Sequence, residues 1–115
     1  MIDKMKSKEN YLEKIPCHNP RIKWRKGDKG LVTLEMENRG FANFLAQKLL
    51  KKPRISFIHL EEFGSFIWTV IDGKQDIIAS GTLVKEKFGD KAEPLYERLA
   101  GYIKTLHTNG FISKI

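Results

Sequence analysis

The apolar positions of this chain change period several times, and each change marks an element. Between Ile22 and Met36 the period is two: "IKWRK" sets Ile22 and Trp24 on one face, and "LVTLEME" sets Leu34 and Met36 beside Val32. Alternation signals a half-buried strand, because successive side chains of extended backbone point to opposite sides. "GDKG" at 27–30 joins the two runs with tight-turn residues, so the segment predicts a hairpin.

The period then lengthens. Phe41, Leu45 and Leu49 in "ENRGFANFLAQKLLKK" fall at i, i+4 and i+8, which predicts a short amphipathic helix with a basic second face, ended by Pro53. "RISFIHL" behind that proline is short and rich in β-branched and aromatic residues, as a third strand would be. From Leu60 the set Leu60, Phe63, Ile67, Val70 and Ile71 traces one face of a helix that Asp72-Gly73 stops.

A second helix is predicted behind Asp76, a good N-cap, with Ile77, Val84 and Phe88 on one face and Gly89 as its end. Ser80 and Gly81 weaken its middle, since Gly costs about 1 kcal/mol there relative to Ala. Asp90 with Glu93 reads as a capping box for a third helix with Leu95, Leu99, Tyr102, Ile103 and Leu106 on its buried face; Asn109-Gly110 closes it, and Pro94 fits only its first turn. The predicted class is α+β: a three-stranded antiparallel sheet followed by three helices, resembling a winged helix-turn-helix with its wing placed first.

Length bounds the organisation. A chain of 115 residues supports one core. Residues 1–18 read as a loose N-terminal arm, residues 19–115 as the domain, and about 39–53 as a helical insertion within it. No apolar run approaches the roughly 20 residues of a membrane span and the start lacks a secretory apolar stretch, so the expected location is the cytoplasm.

Charge changes the picture more than composition does. The formal net charge is +7, and residues 1–54 hold 14 Lys/Arg against 6 Asp/Glu, whereas residues 55–115 hold 7 against 8. A basic half attracts nucleic acid, an acidic peptide or an anionic membrane surface, and charge alone does not choose among them.

Reactive chemistry is sparse. Cys17 is the single cysteine, which excludes an internal disulfide and a CxxC pair. His18, His59 and His107 are scattered, whereas zinc needs three or four convergent ligands. Glu61-Glu62 at a helix start is explained by the positive end of the helix dipole. With no phosphate-binding glycine loop and no nucleophile–base pattern, the chain reads as a non-enzyme with no catalytic residue, no metal and no cofactor.

"LEEFGSFIWTVIDGKQDI", then "LVKEKFG" and a terminal "GFI", resembles the PqqD family of small peptide-binding domains, the recognition elements for ribosomally made, post-translationally modified peptides. The sharpest parts are Gly64, Trp68, Ile71-Asp72-Gly73-Lys74, Phe88-Gly89 and Gly110-Phe111-Ile112. Glu61 stands where the family usually has Asp or Asn, and Ser80 where it has an apolar residue. Taken on their own, Gly64 suggests the close approach of a neighbouring element, and Trp68, one position off the main apolar stripe, reads as core.

The resemblance implies a peptide chaperone: a precursor or leader peptide adds a strand to the free edge of the third strand, lies against the third helix, and is presented to a modifying enzyme. The residues implied are Arg54, Ile55, Ser56, Phe57 and Ile58 on the strand and Arg98, Tyr102 and Thr105 on the helix, with Tyr102 open to a plain core role. The alternative is a winged-helix DNA-binding protein, disfavoured because the basic charge lies away from the third helix. The basic amphipathic segment, Lys48, Lys51 and Lys52 beside Phe41, Phe44, Leu45 and Leu49, would also suit a membrane surface.

Overall fold

The computed structural model describes residues 11–38 and 54–115. The helix expected at 41–50 and the insertion around it lie outside the described residues. In chain order the strands are β1 (Cys17–His18), β2 (Lys23–Lys26), β3 (Val32–Asn38) and β4 (Arg54–His59). Helices α1 (Glu62–Val70), α2 (Ile77–Phe88) and α3 (Leu95–Thr108) follow, then β5 (Ile112–Lys114). The fold is α+β, with a three-stranded antiparallel sheet ordered β2-β3-β4 and three helices.

The hairpin forms where the alternation places it. Lys26 pairs with Val32, and the Gly27 N–H donates to the Leu31 carbonyl at 2.8 Å, leaving Asp28, Lys29 and Gly30 as the loop. Gly30 closes it at φ 76°, a conformation that costs a residue without Cβ little. In cross-strand rows, Trp24, Leu34 and Ile58 share one face of the sheet, and Lys23, Glu35 and Phe57 share the other. Leu34 and Val32 are fully buried, so the first face meets the helices and the second is outermost.

Each helix buries one stripe in the single core that Val32 and Leu34 share. Ile67 and Trp68 of α1, Ile77 and Val84 of α2, and Leu99 and Ile103 of α3 are all fully buried. Ser65 locks α1 to the sheet: its Oγ accepts the Val32 N–H at 2.8 Å and donates to the Leu60 carbonyl at 3.0 Å, which satisfies two buried backbone groups beyond the reach of the ladder. Helix α1 starts at Glu62, so Leu60, expected on its face, instead enters the core from the connection. Asp76 caps α2 by accepting the Ala79 N–H at 2.8 Å.

Two expectations need correction. Of the arm expected at 1–18, residues 1–10 lie outside the described residues, and residues 11–18 are not loose. Tyr11 and Leu12 pack against the core, Pro16 is buried, the Lys14 carbonyl accepts the Ile77 N–H, and β1 pairs antiparallel with β5. The apolar content of that stretch is low, but two aromatic or aliphatic anchors and backbone pairing to the chain's other end suffice to hold it. Ser80 and Gly81 lie on the buried face of α2 with Ile77 and Val84, and a Cβ on Gly81 would meet Tyr96 Cε1 at 2.6 Å. Asp90 lies inside a short 3-10 helix (Gly89–Ala92) that Glu93 follows as its C-cap, and α3 begins at Leu95, because a proline at 94 disfavours helical backbone at the residue before it. The Glu93 carboxylate accepts the Leu95 N–H at 3.2 Å and binds the Lys85 ammonium at 2.7 Å.

Candidate functional site

Among the described residues β4 ends the sheet, and the ladder fixes which of its backbone groups point where. The Leu60 N–H donates to the Val32 carbonyl at 2.9 Å, and the register pairs Ile58 with Leu34 and Ser56 with Met36. Hydrogen-bonding direction alternates along an antiparallel strand. The N–H and C=O groups of Ser56 and Ile58 therefore face β3, and those of Ile55, Phe57 and His59 face away from it. Among the described residues no strand pairs with that outer side.

Side chains alternate in step. Ile55 and Phe57 are 48% and 54% exposed, and His59, also exposed, meets the Thr33 hydroxyl at 3.1 Å through Nδ1. Ser56 and Ile58 are half-buried on the helix-facing side. The outward backbone groups and the exposed apolar side chains thus belong to the same residues. Arg54 opens the strand opposite Asn38.

The start of α1 lies two residues beyond β4 and is tied to α3. Glu61 serves as its N-cap, accepting the Gly64 N–H at 2.9 Å, and its carboxylate also receives the Tyr102 hydroxyl. Burial, followed by the neighbouring Glu61 charge and that hydrogen bond, pushes the Tyr102 phenol up to about 12, so it stays protonated and donating. The missing side chain of Gly64 makes this possible, since a Cβ there would fall on the Tyr102 hydroxyl. Phe63 completes the cluster: its ring meets Tyr102 edge-on at 6.4 Å and Phe88 at 5.3 Å, and the Arg98 guanidinium lies 4.1 Å from its centroid. Arg98 also donates to the Lys91 carbonyl.

Of the helix residues singled out in the sequence, the structure brings Arg98 and Tyr102 together on Phe63. Thr105 is occupied within its own helix, donating to the Gly101 carbonyl at 2.9 Å. Tyr102 bridges the start of α1 and α3, a structural task. Sequence reasoning missed Phe63 and Glu61; the available signal was Gly64, a helix-weakening residue next to an aromatic one, which marks a close crossing.

A second cluster was also missed. His18 stacks on Trp68 with ring centroids 3.7 Å apart and planes 4° from parallel, and Trp24 meets both rings edge-on. His18 Nε2 lies 2.8 Å from the Trp68 carbonyl, the geometry of a donated hydrogen bond. Burial lowers the His18 pKa below its ordinary 6.5, opposed by that bond. Trp68 itself is fully buried, and its indole N–H has no partner among the described residues. The cluster welds β1 and β2 to α1 and uses up the histidine as a structural group.

Among the described residues no three His, Cys, Asp or Glu side chains converge to hold a metal ion, and no helix is long and apolar enough to cross a membrane. Compared with known proteins, the chain matches no family model, no curated protein and no solved structure.

Proposed function

We propose that this protein is a non-enzymatic, cytoplasmic capture domain: it takes an extended precursor or leader peptide as an added strand on the outer edge of β4 and presents it to a peptide-modifying enzyme. The single observation that carries the reading is the contrast between the two edges of one sheet. The β2 edge is four residues long; its Trp24, 41% exposed, turns to the helix side against His18 and Trp68, and its other residues are Lys23, Arg25 and Lys26, the blunting by charge that keeps edges from pairing. The β4 edge is six residues long and carries Ile55 and Phe57, each about half exposed. An unblunted edge whose backbone groups and apolar side chains point outward together is suited to strand addition. The resemblance to the PqqD family, winged helix-turn-helix-like domains, supports the same assignment, with Arg98 and Tyr102 against Phe63 and Glu61 at the start of α1.

The exposed face of α3 argues against a DNA-reading helix. It presents Tyr96, Glu97, Arg98, Lys104, Thr105 and His107, a mixed set without a basic cluster at the helix start.

The test is an anisotropy titration against peptides encoded beside the gene and against duplex DNA, at about 50 and about 200 mM salt. Backbone pairing and apolar contact give a peptide signal that survives the change, whereas DNA binding through about six phosphates loses roughly a thousandfold. Ile55→Pro removes one outward N–H and none of the bonds to β3, so it abolishes the peptide signal and leaves the fold intact. Tight, sequence-selective DNA binding with no response to any such peptide would overturn the proposal.

A further inference from the structure

The outer face of the sheet is polar on two strands and apolar on the third. Its cross-strand rows are Lys23, Glu35, Phe57 and Arg25, Thr33, His59, with Ile55 two residues before Phe57 on the same strand and the same side. Apolar surface on this face of the described strands is therefore confined to β4, where Ile55 and Phe57 are 48% and 54% exposed beside an edge that no strand among the described residues pairs with. An apolar pair at the border of a polar face lacks a neighbour on one side only.

Resting on the capture reading, we infer that the segment taken up at β4 carries apolar side chains at two alternate positions, i and i+2, which lie beside Ile55 and Phe57 on the outer face and whose own backbone groups make the edge hydrogen bonds. The geometry requires both properties of the same two residues. The described sheet is antiparallel throughout, and antiparallel addition is the slightly more stable continuation. In it, the ligand residue directly opposite Phe57 exchanges both backbone bonds with it, and its side chain stands beside the Phe57 ring. The residue opposite Ile55 does the same. The ligand residue between them faces Ser56 and the helix side, and its N–H points away from β4 to solvent. Ile55 and Phe57 then act as the selecting residues: a one-residue slip of the ligand moves its apolar pair to the wrong face. The partner is thus an extended peptide with period-two apolar pattern, free of proline at i and i+2.

Selection of a displayed random-heptapeptide library on the full chain tests this, followed by N-methyl scanning of the enriched peptides. The expected result is enrichment of apolar residues at i and i+2, loss of binding by about tenfold or more when either of those residues is N-methylated, and tolerance of N-methylation at the residue between. In the Ile55→Thr/Phe57→Thr variant, which keeps strand propensity, the apolar preference disappears. Enriched peptides that bind with N-methyl sensitivity but show no period-two apolar preference, or whose sensitive positions are the polar ones, would overturn the inference and leave strand capture standing. A library yielding no binder would contradict the capture reading itself. Protein that elutes as a dimer and becomes a monomer on Phe57→Thr would assign the edge to a second copy and overturn the inference too.

Discussion

Replacing Trp68 by alanine is the severest test of the packing described above. A buried Trp removes about 150–250 Å2 from water, equivalent to about 4–6 kcal/mol at about 25 cal/mol per Å2. Trp68 is fully buried, and its ring contacts with His18 and Trp24 add about 0.5–1.5 kcal/mol each. Two things reduce the loss: alanine keeps part of the burial, and removing an indole N–H without a partner relieves about 1–3 kcal/mol. The net expectation is about 3–5 kcal/mol, in line with large-to-small core substitutions. A domain of this size has about 6–17 kcal/mol in all, and at about 4 °C per kcal/mol the melting midpoint falls by about 12–20 °C. Trp68→Phe separates the terms, since it keeps an aromatic ring and loses the unpaired N–H, and it costs less than about 2 kcal/mol. The assay is thermal unfolding by circular dichroism with a urea titration in parallel. If Trp68→Ala melts within about 4 °C of the parent, or if Trp68→Phe costs as much as Trp68→Ala, the packing argument is wrong.

Gly64→Ala, which in an ordinary helix interior gains about 1 kcal/mol, here costs about 1–3 kcal/mol because the new methyl meets the Tyr102 hydroxyl; in a Tyr102→Ala background most of the cost is relieved, the Glu61 carboxylate being the remaining close neighbour, and a double-mutant cycle by urea unfolding reads the coupling. Ser65→Ala costs about 1–3 kcal/mol by stranding the Val32 N–H, measured the same way. The folded protein takes up the His18 proton at lower pH than the unfolded chain, whose value is near 6.5, so this contribution to stability is whole above that value and is lost as pH falls through the folded one. The midpoint at about pH 5.5 should therefore lie below that at about pH 7.5, and His18→Phe, which keeps the stack on Trp68, should narrow the gap; an unchanged gap would contradict the assignment.

The hairpin, β4 and all three helices were legible because each has a strong local signal: alternation around Trp24 and Leu34, β-branched residues behind Pro53, caps at Asp76 and Asn109-Gly110. The α3 start was misread because a capping pair at Asp90 and Glu93 looks favourable locally, while Pro94 excludes helix between them and Leu95. Contacts between distant segments left the weakest trace. β1 meets β5 across nearly the whole chain, and His18 reaches Trp68 fifty residues away, so nothing in their local pattern announces the partner. The third strand was legible as a strand, but its free side was not: that follows from the sheet order and from the Leu60 bond to Val32, which sets the direction of every amide in β4.

That direction gives the most direct measurement of the central claim, residue-resolved amide hydrogen exchange by NMR on β4 with and without a bound peptide. In the free protein the Ser56 and Ile58 amides, bonded to β3, should exchange slowly and the Ile55 and Phe57 amides fast; adding a captured peptide should slow Ile55 and Phe57 and leave Ser56 and Ile58 as they were. Ile55 and Phe57 amides that are already slow in the free protein, or that stay fast with saturating peptide bound, would contradict strand addition at this edge.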